Sequence, residues 1–357
     1  MRNRIKAVIM YGVIPLLFKI FCLAPVQKKR ILFADTHHDE IPFSMRRLRD
    51  KVKAEGAFEV IEFYQNIASS VSGQLKFLRL YARAKIVIVC DYCAPVSAVK
   101  RKGQFIIQLW HSGGLLKKMG YDAAEDIAPG WRGDMFKNYD MVTVSAPVVS
   151  PVLAKGMRLP FEKVQPIGVC RTDYYSDQQW LEECRTKFQL CYPEARDKTV
   201  VLYAPTFRGN AAAPYLTGID EILQAQHALQ DTHYFILSLH PHLVKHYPQY
   251  AAKMPSEELL PMADMLITDY SSILFDYLLF DKPIVLFAPD LEEYQAARGF
   301  YVEYETLPGA IAQNTDELVR EIAHPKTVNL SEWRSVHMLS CDGAVTERIY
   351  RELQAYV

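Results

Sequence analysis

From residue 30 onward, short apolar runs alternate with longer polar or mixed stretches. Arg30 to Ala34 (RILFA), Ile86 to Cys90 (IVIVC), Phe105 to Leu109 (FIIQL) and Met141 to Ser145 (MVTVS) each predict a strand. A second series follows at Thr199 to Ala204 (TVVLYA), Tyr234 to Leu239 (YFILSL), Met265 to Thr268 and Ile284 to Phe287. Within it, Ile273 to Phe280 reads as a buried helix that Lys282 and Pro283 stop, and Gly343 to Val357 reads as a closing helix. The polar stretch 171–197, ending in Pro193 and Asp197, separates the two series. This alternation predicts an α/β protein of two Rossmann-like domains facing a central cleft, with boundaries at 28–172 and 173–357.

Residues 1–27 differ in character. MRNRIKAVIMYGVIPLLFKIFCLAPV has a basic start and an apolar run broken by Pro15 and Lys19, and Lys28, Lys29 and Arg30 follow it. A span needs about 20 predominantly apolar residues, which this run supplies only marginally, and it has no small-residue cleavage site. Basic residues on both flanks suit an amphipathic segment lying on an anionic cytoplasmic leaflet, with a buried N-terminal helix as the alternative.

Composition narrows the classes. A chain of 357 residues, half of them hydrophobic, is long enough for two domains. Its 41 Lys and Arg balance 41 Asp and Glu, so no global field favours nucleic acid. The seven cysteines are scattered, and Cys90 and Cys93 have no second pair to complete a zinc site. There is no G-x-x-x-x-G-K-[ST] phosphate loop.

Candidate chemistry gathers at strand ends, where open parallel sheets bind ligands. Asp269, Ser271 and Ser272 lie between a strand and a helix, so the serines are expected either to cap that helix or to donate hydroxyls to a phosphate. His111 follows FIIQLW and opens an SGG turn, with Lys117 and Lys118 beyond; His240 follows YFILSL. Either histidine suits proton abstraction from an alcohol or, as a cation, phosphate binding; each also reads as an ordinary loop residue. Arg208, in APTFRGN, is placed to grip a pyrophosphate bidentately or to form a salt bridge. Arg298 and Gly299, beside an aromatic pair, line a nucleotide pocket or fill the core. Gly168, Arg171 and Asp173 mark a hinge.

Taken in order, AKIVIV, KRKGQFIIQLWHSGGLLKKMGYD, GVCRTD, LYAPTFR, LHPH, LITDYSSILFDYLLFDKPIVLF, LEEYQAARGFYVEYETLPG and CDGAVTERI resemble the CDP-glycerol glycerophosphotransferase family, which includes the teichoic acid primases and polymerases. The resemblance implies a GT-B fold, a nucleotide-activated donor held mainly by the C-terminal half, and an acceptor entering the N-terminal half along the membrane. The two family histidines fall on His111 and His240, and the donor-phosphate serines on Ser271 and Ser272. Where the family pattern reads WHGTP this chain reads WHSGG, so Ser112, Gly113 and Gly114 are expected to give a more flexible loop and a different acceptor preference.

Together these readings give a mechanism. An acceptor alcohol attacks the β-phosphorus of a CDP-polyol, with glycerol the first expectation and ribitol the second. His111 is the general base. His240, Arg208, Ser271 and Ser272 stabilise the pyrophosphate, with Asp269, Arg298 and Gly299 completing the donor site. Ser112, Gly113, Lys117 and Lys118 meet the acceptor, a polyprenyl-diphosphate-linked saccharide or a polyol-phosphate chain. No cofactor or metal is expected, Mg²⁺ on Asp269 and Asp276 being the alternative. The location is peripheral, at the cytoplasmic face of the cell membrane. The rivals are a GT-B glycosyltransferase or sugar-nucleotide epimerase, and a non-catalytic binding protein on the same scaffold.

Overall fold

The computed structural model describes residues 8–356 except 69, 124–125, 128–130, 211–212 and 327. Two compact units emerge. The first comprises the described residues up to Ser112, Met119–Tyr174 and those from Leu339 on; the second comprises Gly113–Lys118 and Tyr175–Met338.

In the first unit six strands, β1 (Gln27–Asp35), β2 (Glu59–Tyr64), β3 (Ala84–Val89), β4 (Phe105–Leu109), β5 (Met141–Thr143) and β6 (Val164–Gln165), form one sheet in the order β2-β1-β3-β4-β5-β6. All its pairings are parallel. Helices cover a parallel sheet on both faces, which is why β3 and β4 are almost wholly buried runs of Ile, Val, Phe and Leu. Strand β2 escapes that pattern. As the sheet's edge it carries two glutamates among apolar residues and is mostly only half-buried, and Glu59 meets Arg30 of β1 at 2.9 and 2.7 Å across the matching register.

In the second unit β7 (Thr199–Ala204), β10 (His233–Leu237), β11 (Met265–Thr268), β12 (Ile284–Phe287) and β13 (Ala310–Ala312) are ordered β10-β7-β11-β12-β13, again all parallel. Between β7 and β10, β8 (Arg208–Asn210) and β9 (Ala213–Tyr215) pair as an antiparallel hairpin. The helix after β11 is shorter than predicted: Ile273–Tyr277 is α-helical and Leu278–Phe280 tightens into a 3₁₀ turn that ends at Asp281, whose φ is +56°.

The N-terminal helix Ile14–Phe21 follows a π-helical turn, Ile9–Val13. Ile14 and Phe18 are buried, Phe18 with its ring 4.8 Å from that of Tyr81, while Leu16, Ile20 and Leu23 are exposed. No helix among the described residues is long and apolar enough to cross a membrane. The first seven residues of the expected surface segment lie outside the described set.

Two segments depart from the expected single boundary at residue 172. Gly113–Lys118 belongs to the second unit because its backbone pairs with the segment around Phe300: Tyr301 N–H donates to the Leu116 carbonyl at 2.8 Å, and Lys118 N–H to the Gly299 carbonyl at 3.1 Å. The closing helix, Val345–Gln354, belongs to the first unit rather than the second. Asp173, 2% exposed, holds it: its carboxylate accepts the N–H groups of Val345 at 3.0 Å and Thr346 at 2.7 Å, satisfying donors that a helix start leaves open. Gly168 completes the joint, its φ of +107° and the 2.4 Å that a Cβ would leave to Val345 excluding any side chain. Asp173→Ala strands two buried donors at a cost of about 1–3 kcal/mol. The expected outcome is a lower thermal midpoint and earlier proteolytic cleavage near the C-terminal helix than in the wild type.

Candidate active site

At the carboxyl edge of the second sheet, three strand ends converge on one guanidinium. Arg208, just beyond β7 and 7% exposed, donates Nε–H and Nη2–H to the two oxygens of Asp290 at 2.7 and 2.9 Å. Its Nη1 donates to Asp269 Oδ2 at 2.9 Å and to the Thr206 carbonyl at 2.6 Å. Asp269 Oδ1 in turn accepts the N–H groups of Thr206 and Tyr270 at 2.8 and 2.5 Å. The guanidinium lies 4.8 Å from the Tyr270 ring centre and 5.0 Å from that of Tyr294, and those rings stack 3.9 Å apart. Tyr270 donates its hydroxyl to Asp290 at 2.9 Å, and Tyr304 donates to the Asp269 carbonyl at 3.0 Å. Burial pushes the Asp290 carboxyl up, but the Arg208 hydrogen bonds and charge outweigh it and hold the group below the usual aspartate value.

This network carries the loop Tyr270–Ser272. Both serine side chains are half-buried, and Ser271 Oγ accepts the Ile273 N–H at 3.4 Å, a weak cap that leaves the hydroxyl hydrogen to point elsewhere. Arg298 donates Nε–H to the Lys118 carbonyl at 3.1 Å, and the Lys118 side chain runs beside Gly299, whose φ of +73° permits the turn. Lys117, Lys118, Arg298 and Gly299, expected on different domains, thus sit together in the second unit. His240 is exposed at the start of the short helix Pro241–Val244, its ring 4.9 Å from that of Phe207.

In the WHSGG loop the two glycines are packed while His111 is exposed. Gly113 and Gly114 are both buried; Gly114 has φ +54°, and a Cβ there would meet the Phe275 ring at 2.2 Å, so glycine lets that ring lie against the chain. Ser112 remains in the first unit.

In the first unit His111 leaves β4 exposed, with its ring 5.1 Å from that of Trp110. Its Nδ1 lies 2.9 Å from the Cys90 carbonyl at the end of β3. A carbonyl only accepts, so Nδ1 carries the proton and Nε2 the lone pair of the neutral ring, the form a general base needs. Arg171 donates Nη1–H to the His111 carbonyl and braces the same turn.

Comparison with known proteins decides what this arrangement belongs to. Residues 16–355 match the model of the CDP-glycerol:poly(glycerophosphate) glycerophosphotransferase family. The chain belongs to this family. It is 30% identical, over 96% of its length and 95% of the relative's, to a teichoic acid ribitol-phosphate primase of Bacillus spizizenii. It is 31% identical to a teichoic acid glycerol-phosphate primase of Bacillus subtilis, over 70% of its length and 68% of that chain. Among solved structures the wall teichoic acid polymerase TagF superposes with a TM-score of 0.78 at 21% identity, covering 99% of this chain and 97% of that one. A UDP-GlcNAc 2-epimerase from Methanocaldococcus jannaschii reaches 0.56 at 14% identity, covering 91% and 99%. These likenesses fix the fold as GT-B, with a parallel α/β sheet in each of two domains.

Within this glycerophosphotransferase, Arg208 takes the salt-bridge alternative of the sequence reading. Four of its five N–H groups are spent inside the protein, so its task is to tie strand ends together. Asp269 is engaged likewise, Oδ1 by the Thr206 and Tyr270 N–H groups and Oδ2 by Arg208, and Asp276 is buried. Asp290, Tyr270, Tyr294 and Tyr304 were missed as site-building residues. The one available signal was the aspartate following IVLFAP, which repeats the strand-then-acid pattern of LITD.

Arg208→Gln leaves the buried Asp269 and the half-buried Asp290 carboxylates without their cation and is expected to destabilise the second unit by about 3–5 kcal/mol. Because the folded pKa of Asp290 is depressed, its share of that stability is full above the ordinary aspartate pKa and is lost as pH falls through the lowered value. The wild-type advantage in denaturant midpoint should therefore be full at neutral pH and shrink in acid.

Proposed function

We propose that this enzyme transfers a polyol phosphate from a CDP-polyol to a hydroxyl of a lipid-linked acceptor, releasing CMP, in the assembly of teichoic acid or a related wall or capsule polymer. The observation that carries the reading is the family match over residues 16–355, joined by a near full-length match to a ribitol-phosphate primase. The relatives' names include both ribitol and glycerol phosphate, so the polyol is the part of the proposal that experiment must choose.

The chemistry is a displacement at phosphorus. The acceptor oxygen attacks the donor's β-phosphorus and an O–P bond forms. The bond from that phosphorus to the bridging oxygen breaks, and its electron pair leaves with CMP. His111 Nε2 takes the acceptor's proton, its ring oriented by the Cys90 carbonyl. Ser271, Ser272 and His240 bind the donor's phosphates, with Arg298 and Lys118 adding positive charge on the same unit. Arg208 and Asp269 serve the donor by fixing the loop that carries the serines. The acceptor is a polyprenyl-diphosphate-linked saccharide or a polyol-phosphate chain, and the exposed apolar positions Leu16, Ile20 and Leu23, with Lys19 among them, support docking at the cytoplasmic membrane surface.

The test is CMP release by purified protein given CDP-glycerol or CDP-ribitol with a lipid-linked disaccharide or a glycerol-phosphate-primed form of it. Wild-type release is expected with one donor, and His111→Ala should lower kcat by about 10²–10⁴-fold without shifting the thermal midpoint. Turnover of a UDP-sugar in place of either CDP-polyol would overturn the proposal in favour of a GT-B sugar enzyme.

A further inference from the structure

One short piece of the first unit, Pro166–Asp173, is tied to the C-terminal segment on one side and to His111 on the other. The C-terminal segment clasps it along its length. Ser340 donates its hydroxyl to the Pro166 carbonyl at 2.6 Å and its N–H to the Ser145 carbonyl at 3.0 Å. Arg348 donates Nε–H to the Ile167 carbonyl at 3.1 Å and Nη2–H to the Ser340 carbonyl. Cys170 Sγ and Thr346 Oγ1 are buried 3.3 Å apart, and the Asp173 carboxylate accepts the N–H groups of Val345 and Thr346. Within the piece, Thr172 donates its hydroxyl to the Val169 carbonyl at 2.7 Å and closes the turn.

Arg171 stands between the buried Cys170 and Thr172 but is itself only half-buried, and its Nη1–H goes to the His111 carbonyl. The need for a donor at that carbonyl follows from strand geometry. Strand β4 ends at Leu109, whose pairing with Thr143 is the last rung of its ladder with β5, so His111 lies two residues past the sheet. A carbonyl in that position has no neighbouring strand to fix its peptide plane. The guanidinium supplies the donor and, being charged, a stronger one than an amide. His111 is thus held twice, its main chain by Arg171 and its ring by the Cys90 carbonyl 2.9 Å from Nδ1.

We infer that Arg171 is a positioning residue for the general base, through which the docked C-terminal segment holds His111 in place for proton abstraction. This rests on the transferase reading above. A peptide plane released at His111 swings the ring about its Cα and competes with the hydrogen bond to Cys90, and a small displacement of a base lowers the rate of the chemical step steeply. Donor binding is not touched, because Ser271 and Ser272 belong to the other unit.

The experiment is steady-state CMP release from a CDP-polyol and a lipid-linked acceptor for wild type, Arg171→Gln, Arg171→Lys, Asp173→Asn and the double variant R171Q/D173N, each shown to be folded by circular dichroism; Ser340→Ala replaces Asp173→Asn if the latter does not fold. Arg171→Gln is expected to lower kcat about 10- to 10²-fold with an unchanged KM for the CDP-polyol. Arg171→Lys, which keeps a charged donor, should recover part of that loss. Asp173→Asn should lower kcat by a smaller factor alone and cost nothing further in the double variant, because the link it acts through is already gone. An unchanged kcat in Arg171→Gln, a loss that lies wholly in KM for the donor, no recovery by lysine, or losses that multiply in the double variant would each overturn the positioning role while leaving the transferase reading intact. A wild-type protein silent with every CDP-polyol would overturn the transferase reading itself, and this role with it.

Discussion

Arg208 and its two aspartates are the constraint on which the carboxyl edge of the second domain's sheet depends. Three strand ends, those of β7, β11 and β12, each send one charged residue to the same buried point. A buried charge triad of this kind contributes little net stability against an apolar replacement of equal shape, but it is unforgiving when one member is lost. What it supplies is position. Tyr270 is pinned between Asp290 and the guanidinium, so Ser271 and Ser272 leave the sheet from a fixed anchor; Tyr294 and Phe300 extend the ring stack toward Arg298 and Gly299. The loop that carries the two serines is placed by polar groups buried behind it.

The first domain solves the same problem with backbone carbonyls. His111 takes its tautomer from the Cys90 carbonyl and His37 from that of Tyr92, so one short turn after β3 orients two imidazoles. No charge is buried directly on His111 by this device, and its ring stays exposed. A base whose orienting partner is a neutral carbonyl keeps a lone pair at Nε2 whenever the ring is uncharged, which is what abstraction of an alcohol proton asks of it.

The strands most legible in the sequence were the doubly buried ones: FIIQL and MLIT occupy their predicted ranges because a strand covered on both faces must be a continuous apolar run. Strand β2 went unread because EVIEFY sits on an edge and carries two glutamates three residues apart, and β13 because the three residues Ala-Ile-Ala are too few to show a period. The role of Arg208 was illegible for a different reason. Its partner carboxylates lie 61 and 82 residues away, and nothing local to APTFRGN distinguishes a guanidinium aimed at a ligand from one aimed inward. The same holds for Lys117 and Lys118, whose placement follows from antiparallel pairing with a segment around residue 300, and for Asp173, whose partner N–H groups come from residues 345 and 346. The motif resemblance identified the family, but contacts between distant segments decided which residues come together at the strand ends.

The central claim is that phosphorus travels with the polyol. It is tested most directly by supplying a CDP-polyol radiolabelled at the β-phosphate together with a lipid-linked acceptor, then following the label. The account predicts that the label enters the lipid-linked product while the released nucleotide is unlabelled CMP. Label retained in a released nucleoside diphosphate would contradict it, because that outcome means cleavage on the far side of the β-phosphate, as in transfer of a sugar.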